Sequence, residues 1–447
     1  MKIPCSENLK QLAQACNFPL YIVGGYVRDF LAGLDCGKKD IDICAPADTD
    51  AFIRCAQSCG AHVTAVYRNT GTVKLTLKGE EYEFTCFRSD EYVRGEHRPV
   101  KTFFTDDITL DAKRRDFKCN AVYYDILNER ISDPLGGVED ISNKRLTTVA
   151  DADKVFGEDG LRLMRLARQS AQTGFTPSEE CLAGATNNAR LIADVSAERI
   201  YAELTAILHA DERYGNTYGQ YEGLKILDKT RVLDYILPEL TAGRGMEQPA
   251  SFHTHDVLEH SLRAVKYAQK EVRLAALLHD IGKPYCRNNF GTYHNHELES
   301  ARITTEVGAR LKMPKKLTSE TARLCETHMY DTRCDARESK IRKFIVKNFD
   351  IFDKVLLVKQ ADFSACKDNL SPAPCVVKWR GIYEKMIKEG APVNLKQLNV
   401  RGDELIKNGV KPEKVGFVLE NLLRDCALDA KLNDNKTLLK RANLYKD

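Results

Sequence analysis

Two aspartates, Asp40 and Asp42, flank one isoleucine in the stretch DIDICA, and this spacing suits the binding of a metal ion. Residues two apart in a β-strand point to the same face, so the two carboxylates would lie side by side. Neighbouring carboxylates repel each other unless a cation lies between them, and Mg²⁺ binds carboxylate and phosphate oxygens together. The pattern therefore favours metal-assisted chemistry on a phosphate group. A solvated strand edge is the alternative interpretation of this spacing alone.

A pair of glycines precedes these aspartates in the stretch GGYVRD. Gly24 and Gly25 would let the backbone approach a phosphate closely at the start of a helix. Arg28, one turn into that helix, would neutralise triphosphate charge. Glu83, in the strand-like run EYEFTCFR, is the candidate for a third carboxylate from a neighbouring strand. An exposed strand glutamate is the alternative for Glu83.

The segment EDGLRLMR carries a second kind of chemistry, the recognition of a base. Asp159 and Arg162 are three residues apart, so we expect them to share one face of a helix. Aspartate only accepts hydrogen bonds and arginine only donates them, which complements the amine and ring nitrogen of cytosine or adenine. Uracil and guanine present the opposite polarity and would leave unpaired polar groups. The pair therefore predicts a pocket that selects C and A, with a helix salt bridge as the alternative.

The elements that must position these side chains change character along the chain. Short β-rich runs separated by turn residues fill the first third, among them PLYIVG, DIDICA, GTVKLTLKG and NAVYYDI. From about residue 151 the apolar spacing is helical, as in SAERIYAELTAILHA and EVRLAALLHDIGK. Clusters of glycine, proline and small polar residues at 241–251 and 368–374 indicate linkers.

Five motifs, in order over residues 24–204, together resemble those of the class II tRNA nucleotidyltransferases and bacterial poly(A) polymerases. They are GGYVRDFLAG…DIDIC, RRDFKCNA, DPLGGVEDI, EDGLRLMR and SAERIYAEL. The resemblance implies a polymerase-beta-like head that uses Mg²⁺, and it assigns a ribose contact to Arg115 and Asp116. Arg165 and Arg168 continue the face of Arg162 at helical spacing and are candidates for contacting the triphosphate. An exposed basic stripe is the alternative for these two arginines.

A second resemblance lies further along the chain, in HDVLEHSLRAV, AALLHDIGK, YHNHELES, LCETHMY and LVKQADFSA. These stretches are similar to the HD superfamily of metal-dependent phosphohydrolases. The similarity assigns the metal ligands to His260, His279, Asp280, His296, His328 and Asp362. Imidazoles together with carboxylates suit a divalent transition metal or Mg²⁺. A degenerate HD fold that only holds RNA is the alternative.

The two resemblances together predict an α+β head with a polymerase-beta-like sheet, followed by helical domains. We expect a nucleotidyltransferase head at 1–150, an all-α neck for nucleotide selection and RNA binding at 151–240, an HD domain at 241–370 and a tRNA-binding tail at 371–447. The predicted function is template-independent addition of C, C and A from CTP and ATP to the 3′ end of a tRNA, with hydrolysis at the HD site.

Three other functions stay open at this point. The polar segment between CFR and RRDF resembles the flexible loop of CCA-adding enzymes, which favours full CCA addition over A-only addition or poly(A) synthesis. A nucleotide phosphohydrolase whose head only binds nucleotide is a rival from another class. A catalytically silent RNA-binding protein is the third, and the intact D-x-D and H…HD…D patterns count against it.

Composition narrows the partners and the compartment. The 447 residues carry a net charge of +3, so an RNA-binding surface must come from local patches. We expect shape recognition of the tRNA acceptor arm. The 15 cysteines contain no C-x-x-C pair and favour a reducing, cytoplasmic location. No apolar run is long enough to predict a membrane span, and the oligomeric state stays open.

Overall fold

The computed structural model describes residues 2–34, 41–92, 99–251 and 253–446. The chain divides into two compact units. The first comprises Met1–Thr241 with Arg310–Lys312, and the second comprises Ala242–Ala309 with Met313–Asp447. The predicted division into four domains stays a prediction.

The first unit contains all the described strands, and seven of them form one sheet in the order β3-β4-β5-β2-β1-β8-β9. Only the β2–β5 pair of this sheet is parallel. Two further pairs, β6–β7 and β10–β11, lie outside the sheet. The strands are β1 Tyr21–Val23, β2 Ile41–Ala45, β3 His62–Tyr67, β4 Thr72–Leu77, β5 Glu80–Cys86, β6 Arg88–Glu91, β7 Lys101–Phe104, β8 Tyr123–Asp125, β9 Arg130–Ser132, β10 Arg145–Leu146 and β11 Thr176–Pro177.

Thirteen helices of the described chain accompany these strands. They are α1 Glu7–Ala15, α2 Gly25–Leu31, α3 Thr49–Ser58, α4 Ile108–Lys113, α5 Gly137–Ser142, α6 Ala152–Glu158, α7 Leu161–Thr173, α8 Glu179–Asn188, α9 Ala197–Leu208, α10 Asp211–Tyr214, α11 Gly219–Lys229, α12 Leu233–Ile236 and α13 Pro238–Thr241. The core lies between sheet and helices, where Phe52 of α3 stacks on Phe84 of β5 at a centroid distance of 3.7 Å.

The second unit is helical throughout its described residues. Its helices are α14 Val257–Tyr267, α15 Arg273–Leu278, α16 Lys283–Phe290, α17 His296–Arg310, α18 Lys315–Thr327, α19 Glu338–Lys347, α20 Phe352–Lys367, α21 Pro374–Lys388, α22 Gly402–Lys407, α23 Val415–Leu428 and α24 Asn435–Ala442. Trp379 of α21 is fully buried and packs against Phe344 and Phe352. The predicted fold class, an α+β head followed by helical parts, is confirmed.

One local prediction is wrong, because Asp159 and Arg162 do not share a helix face. Helix α6 ends at Glu158, and Asp159 has an extended backbone with φ −146° and ψ 109°. Its carboxylate accepts a hydrogen bond from the backbone N–H of Leu161, at 3.0 Å, as N-terminal capping aspartates do. Arg162 lies in the first turn of α7. Asp159 therefore lies in the break between α6 and α7, whereas Arg162 lies within α7.

The described part of the segment between CFR and RRDF contains two strands and a helix. Strands β6 and β7 pair antiparallel, from Arg88 opposite Phe104 to Glu91 opposite Lys101. Helix α4 follows, capped by Asp107. The middle of the segment, residues 93–98, lies outside the described residues. In the described chain, no helix combines the length and the apolar character that a membrane crossing requires.

Candidate functional site

A polar cleft of about 470 Å³ in the first unit collects nearly all the predicted head residues. Of the eleven that the structure describes, ten line it: Gly24, Gly25, Arg28, Asp42, Arg115, Asp116, Asp159, Arg162, Arg165 and Arg168. These residues come from one strand (β2), two helices (α2 and α7) and the segments next to such elements, and they meet although some are more than a hundred positions apart in sequence. Asp40 lies outside the described residues.

The glycine turn and Asp42 form one part of this cleft. Gly24 joins β1 to α2 with φ +81°, a conformation that side chains other than glycine rarely adopt. A Cβ atom at Gly24 would lie 3.0 Å from Oδ2 of Asp42. Strand β2 pairs with β1 so that Asp42 lies opposite Val23. The turn therefore leaves space directly over the exposed Asp42 carboxylate.

Glu83 lies next to Asp42 but not in the cleft. The parallel pairing of β2 and β5 puts Asp42 in register with Glu83. The Glu83 carboxylate pairs with Lys74 at 2.9 Å, and Glu83 is absent from the described residues that line the cleft. Its neighbourhood fits a third carboxylate, but its charge is already compensated.

Arg28 is buried and already paired, which the sequence did not reveal. Its guanidinium binds Asp29 at 2.7 Å. It also donates to Oδ1 of Asn120 at 2.8 Å and to Oε1 of Gln169 at 3.0 Å. Its charge is therefore largely compensated within the protein, and its contact with a triphosphate stays a prediction.

The RRD triplet at 114–116 is held in place by buried carboxylates. Asp111 pairs with Arg114 at 2.7 Å and with Arg115 at 3.1 Å, and accepts a hydrogen bond from Tyr123. Burial alone would raise the pKa of Asp111, but Arg114 and Arg115 lower it to about 2. The two guanidinium groups are thus fixed at the cleft wall at neutral pH.

Asp116 contacts a second set of side chains that line the cleft. Arg165 of α7 binds its Oδ2 at 2.6 Å, and Asn120 donates to its Oδ1 at 2.9 Å. Burial alone would raise the pKa of Asp116, but Arg165 and the hydrogen bonds hold it well below its usual value. One turn further along α7, Arg168 pairs with Glu203 at 2.6 Å. Each arginine of this stripe therefore has a carboxylate that orients it.

Asp159 and Arg162 face the cleft from the break between α6 and α7. Arg162 is 6% exposed and binds Glu158 at 2.7 Å. It also donates to the backbone oxygens of Val155 and Arg114, at 2.9 and 2.7 Å. Its guanidinium carbon lies 5.5 Å from the ring centroid of Tyr92. These contacts use three of its five N–H groups and fix the direction of the others.

The second candidate site lies within the helical unit, where the six predicted HD residues converge. His260 comes from α14, His279 and Asp280 follow α15, and Asp362 comes from α20. His296 begins α17 and His328 ends α18. All but Asp362 are almost completely buried.

Asp280 lies at the centre of this cluster. Its Oδ1 is 3.1 Å from Nε2 of His296 and 3.6 Å from Nε2 of His328. Its Oδ2 is 3.2 Å from Nε2 of His279. Nε2 of His260 lies 3.0 Å from Oδ1 of Asp362 and 3.2 Å from Nε2 of His279. Four imidazole Nε2 atoms and two carboxylates therefore face one small volume.

The donor set fits a metal ion. The Nδ1 atoms of His279, His296 and His328 lie 2.6–2.7 Å from backbone carbonyl oxygens, which fixes the tautomer that leaves Nε2 as a ligand. Nε2 of His296 and His328 and Oδ1 of Asp280 are buried without a hydrogen-bond partner among the described residues. Two groups of three residues bring their ligand atoms within 4.8 Å of one another, namely His260 with His279 and Asp362, and His279 with Asp280 and His328.

The electrostatics of the cluster also favour a cation. Burial alone would lower the pKa of His279, but Asp280 and Asp362 raise it to about 10. Burial would raise the pKa of Asp280, yet His279 and Lys283 hold it well below its usual value. The two carboxylates thus favour a proton on His279, and a divalent cation bound in the cluster would neutralise the same negative charge.

Models of three known families match separate parts of this chain. Residues 20–147 match the model of the poly(A) polymerase head domain, and 174–243 match a probable RNA- and SrmB-binding site of polymerase A. Residues 253–354 match the HD domain. A CCA-adding enzyme of Geobacillus thermodenitrificans is 31% identical over 300 residues, 64% of this chain and 67% of that protein.

The chain belongs to the family of the CCA-adding enzymes and poly(A) polymerases. An A-adding tRNA nucleotidyltransferase of Deinococcus radiodurans is 28% identical over 370 residues, 77% of this chain and 76% of that protein. This chain spans about half the length of the relatives that match it at 35–38% identity, which are also CCA-adding enzymes.

A solved member of the family has the same fold. The crystal structure of the Bacillus stearothermophilus CCA-adding enzyme in complex with CTP superimposes with a TM-score of 0.69 at 22% identity, and covers 98% of this chain and 99% of that one. Nucleotidyltransferases of this family and HD proteins are both metal-dependent, in agreement with the two donor sets.

The sequence did not identify several residues that complete the two sites. Ten further residues line the cleft: Arg88, Asp90, Tyr92, Arg114, Asn120, Leu161, Gln169, Gln172, Arg199 and Arg213. Arg114 is the first residue of the RRD triplet, so the motif could have identified it as a cleft residue. At the HD cluster, Lys283 pairs with Asp280 at 2.6 Å. Lys283 follows Asp280 by three residues, and this spacing could have identified it.

Proposed function

We propose that this protein adds C, C and A from CTP and ATP to the 3′ end of a tRNA without a nucleic-acid template. The observation that carries the proposal is the cleft, which has a carboxylate beside a glycine turn at one place and Asp159 with Arg162 at another. Nine arginines and four aspartates line it, a balance that suits a nucleoside triphosphate. The similarity to CCA-adding enzymes supports the same conclusion.

Asp42 and Asp40 would hold Mg²⁺ in this scheme. When bound, the ion would offset negative charge on the triphosphate and favour loss of the proton from the attacking 3′-hydroxyl, as in other metal-dependent phosphoryl transfers. The space over Gly24 admits the phosphates next to Asp42. Glu83 would add negative charge from the neighbouring strand, with a weaker effect because Lys74 already pairs with it.

The remaining residues would orient the nucleotide. Arg115 and Asp116 suit the ribose hydroxyls, while Arg165 and Arg168, each fixed by a carboxylate, face the triphosphate. Arg28 would mainly support the glycine turn, given its buried pair with Asp29.

Base selection would rest on Asp159 and Arg162. The Asp159 carboxylate accepts from the amine of cytosine or adenine, and Arg162 donates to the adjacent ring nitrogen. Uracil and guanine carry an N–H at the position of that ring nitrogen, and a guanidinium has no acceptor for it. Those bases would leave buried polar groups unpaired, which costs about 1–3 kcal/mol for each group.

Single-nucleotide assays test this function. Three transcripts of one tRNA, ending before the CCA, after C and after CC, are incubated with each nucleoside triphosphate separately, and the products are sequenced. We expect C on the first two, A on the third, and no U or G on any. Absence of C addition, or equal use of UTP, would refute the proposal.

The Deinococcus relative favours a second candidate, A-only addition. The same assay separates the two, because an A-adding enzyme extends only the transcript that ends in CC. Long A tails on an unrelated RNA would instead identify a poly(A) polymerase. With tRNA as the substrate, the proposed location is the cytoplasm.

We further propose that the HD cluster binds a divalent transition metal or Mg²⁺ and hydrolyses phosphate esters. The bound ion would supply a water of lowered pKa for attack on phosphorus. The six converging ligands support this second activity. Release of phosphate from p-nitrophenyl phosphate and opening of 2′,3′-cyclic AMP, each with Mn²⁺, Ni²⁺, Co²⁺ or Mg²⁺, test it, and no turnover of either probe with any of these metals would contradict it. If hydrolysis were the only activity, the protein would be a nucleotide phosphohydrolase with a nucleotide-binding head.

A further inference from the structure

A second group of metal-binding side chains adjoins the HD cluster and shares one residue with it. His253, His260 and Cys366 present ligand atoms within 4.8 Å of one another. His260 also belongs to the inner group, where its Nε2 lies 3.0 Å from Asp362. Neither His253 nor Cys366 belongs to the H…HD…D pattern. We call His253, His260 and Cys366 the outer group.

The free ring nitrogens of the two histidines point to a ligand. His260 is completely buried, and its Nδ1 has no hydrogen-bond partner among the described residues. Because Nε2 of His260 is committed to the inner group, Nδ1 is the atom left for the outer one. Nδ1 of His253 is also buried without a described partner. The two rings are perpendicular, with centroids 4.9 Å apart.

The backbone around the outer group is already fixed in place. Thr254 donates from its N–H and from its hydroxyl to the backbone oxygen of Cys366, at 3.1 and 3.2 Å. Lys367 donates to the backbone oxygen of Ser251 at 2.9 Å. These bonds tie the segment before α14 to the last turn of α20. Asp362 and Cys366 are four residues apart on α20, so one helix face serves both groups.

We propose that the outer group is a separate binding site for a thiophilic divalent cation of the zinc type. One thiolate and two imidazoles are ligands that Zn²⁺ prefers, and a water would complete a tetrahedral set. Binding converts the Cys366 thiol to a thiolate and releases one proton to solvent. The inner group, with carboxylates and no sulfur, suits harder ions. Two neighbouring sites of different preference would thus share His260, and with both sites filled its ring would lose its N–H proton to solvent and bridge the two ions as an imidazolate.

Cobalt gives a direct test, because Co²⁺ bound to a thiolate shows a sulfur-to-metal charge-transfer band that oxygen and nitrogen ligands do not produce. The full chain, freed of metal and kept reduced, is titrated with Co²⁺. We expect the band in the wild-type protein and its loss on addition of excess Zn²⁺. Cys366→Ser should lose the band and bind one equivalent less of Zn²⁺, as measured by mass spectrometry after gel filtration.

Two further variants complete the experiment. His253→Gln keeps the thiol but should weaken Co²⁺ binding at this site by at least tenfold, seen as a shift in the titration midpoint of the band. Cys334→Ser changes another half-buried cysteine of the same unit and should leave the band intact. A wild-type protein without the band, or a band that survives Cys366→Ser, would overturn the proposal. The readout is metal binding, so its outcome does not depend on either proposed activity.

Discussion

The head cleft and the HD cluster both assemble charged groups, but they do so in opposite ways. In the cleft, arginines are spread over a volume of about 470 Å³, and most have a carboxylate partner. In the cluster, four imidazoles and two carboxylates point at one another over 3.0–3.6 Å. The first arrangement suits an extended ligand with a shape to recognise, and the second suits a single point charge.

The difference shows what each set of ion pairs accomplishes. Carboxylate partners such as Glu158 and Asp116 hold the arginines of the cleft in fixed directions. The proposed selection of a nucleotide therefore depends on these partners as well as on the arginines. Among the described residues, backbone carbonyls hold three histidines of the cluster and Lys283 pairs with Asp280, while the carboxylates of the cluster would themselves be ligands. We therefore expect a single substitution to reduce activity most in the HD cluster, and substitutions in the cleft to reduce it by amounts that differ from residue to residue.

The largest effect is expected for Asp280→Asn in the HD cluster. Asp280 contacts four histidines and Lys283, and the amide removes the charge that holds a cation. Hydrolysis of p-nitrophenyl phosphate should fall by more than about 100-fold, since loss of outer-shell partners alone costs about 10–100-fold. Metal analysis of the purified variant should show fewer bound equivalents. Unchanged hydrolysis would place the chemistry elsewhere.

Arg162→Lys should cause the next largest effect, on nucleotide choice. Lysine cannot keep the forked contacts to Glu158, Val155 and Arg114. We expect kcat/KM for CTP to fall about 10–100-fold, the value of one or two charged hydrogen bonds, while UTP changes little. The ratio of CTP to UTP incorporation measures this. Arg190→Lys, at an exposed position away from the cleft, is the control, and an equal drop for both nucleotides would contradict base selection by Arg162.

Asp111→Asn tests whether the cleft walls depend on buried charge. The pKa of Asp111 is lowered to about 2, so its ionised form stabilises the fold above the unfolded pKa of about 4. The variant should lose about 2 kcal/mol of stability at pH 7. The difference from wild type should shrink as pH falls from about 4 to 2. Urea-dependent hydrogen exchange of residues 2–241 measures it, with exposed Asp106→Asn as control.

The smallest effect is expected for Tyr92, whose ring lies against Arg162. Tyr92→Leu removes a cation–π contact worth about 0.5–2 kcal/mol, so selectivity for CTP over UTP should fall by about 2–30-fold. Tyr92→Phe keeps the ring and should retain most of it. Equal loss in both variants would assign the effect to the hydroxyl group instead.

The sequence predicted the strand with Asp42 and the glycine turn because both depend on local spacing, and the resemblance to the HD superfamily pointed to the six side chains that converge in the HD cluster. It placed Asp159 wrongly, since a capping aspartate ends one helix and starts another within a pattern that otherwise looks continuous. It also could not show that Arg28 is buried beside Asp29, or that Arg162 is held by Glu158 and Tyr92. Such pairings depend on how distant segments pack, as the missed His253 and Cys366 also illustrate.

Nucleotide addition by Asp42→Asn tests the central claim most directly. Asp42 is exposed at the cleft, so the amide should fold normally. The account predicts no detectable C addition to a transcript lacking CCA, with hydrolysis of p-nitrophenyl phosphate unchanged. Asp50→Asn, an exposed aspartate on α3, should leave both activities intact. Normal C addition by Asp42→Asn would contradict the assignment of the cleft as the site of nucleotidyl transfer.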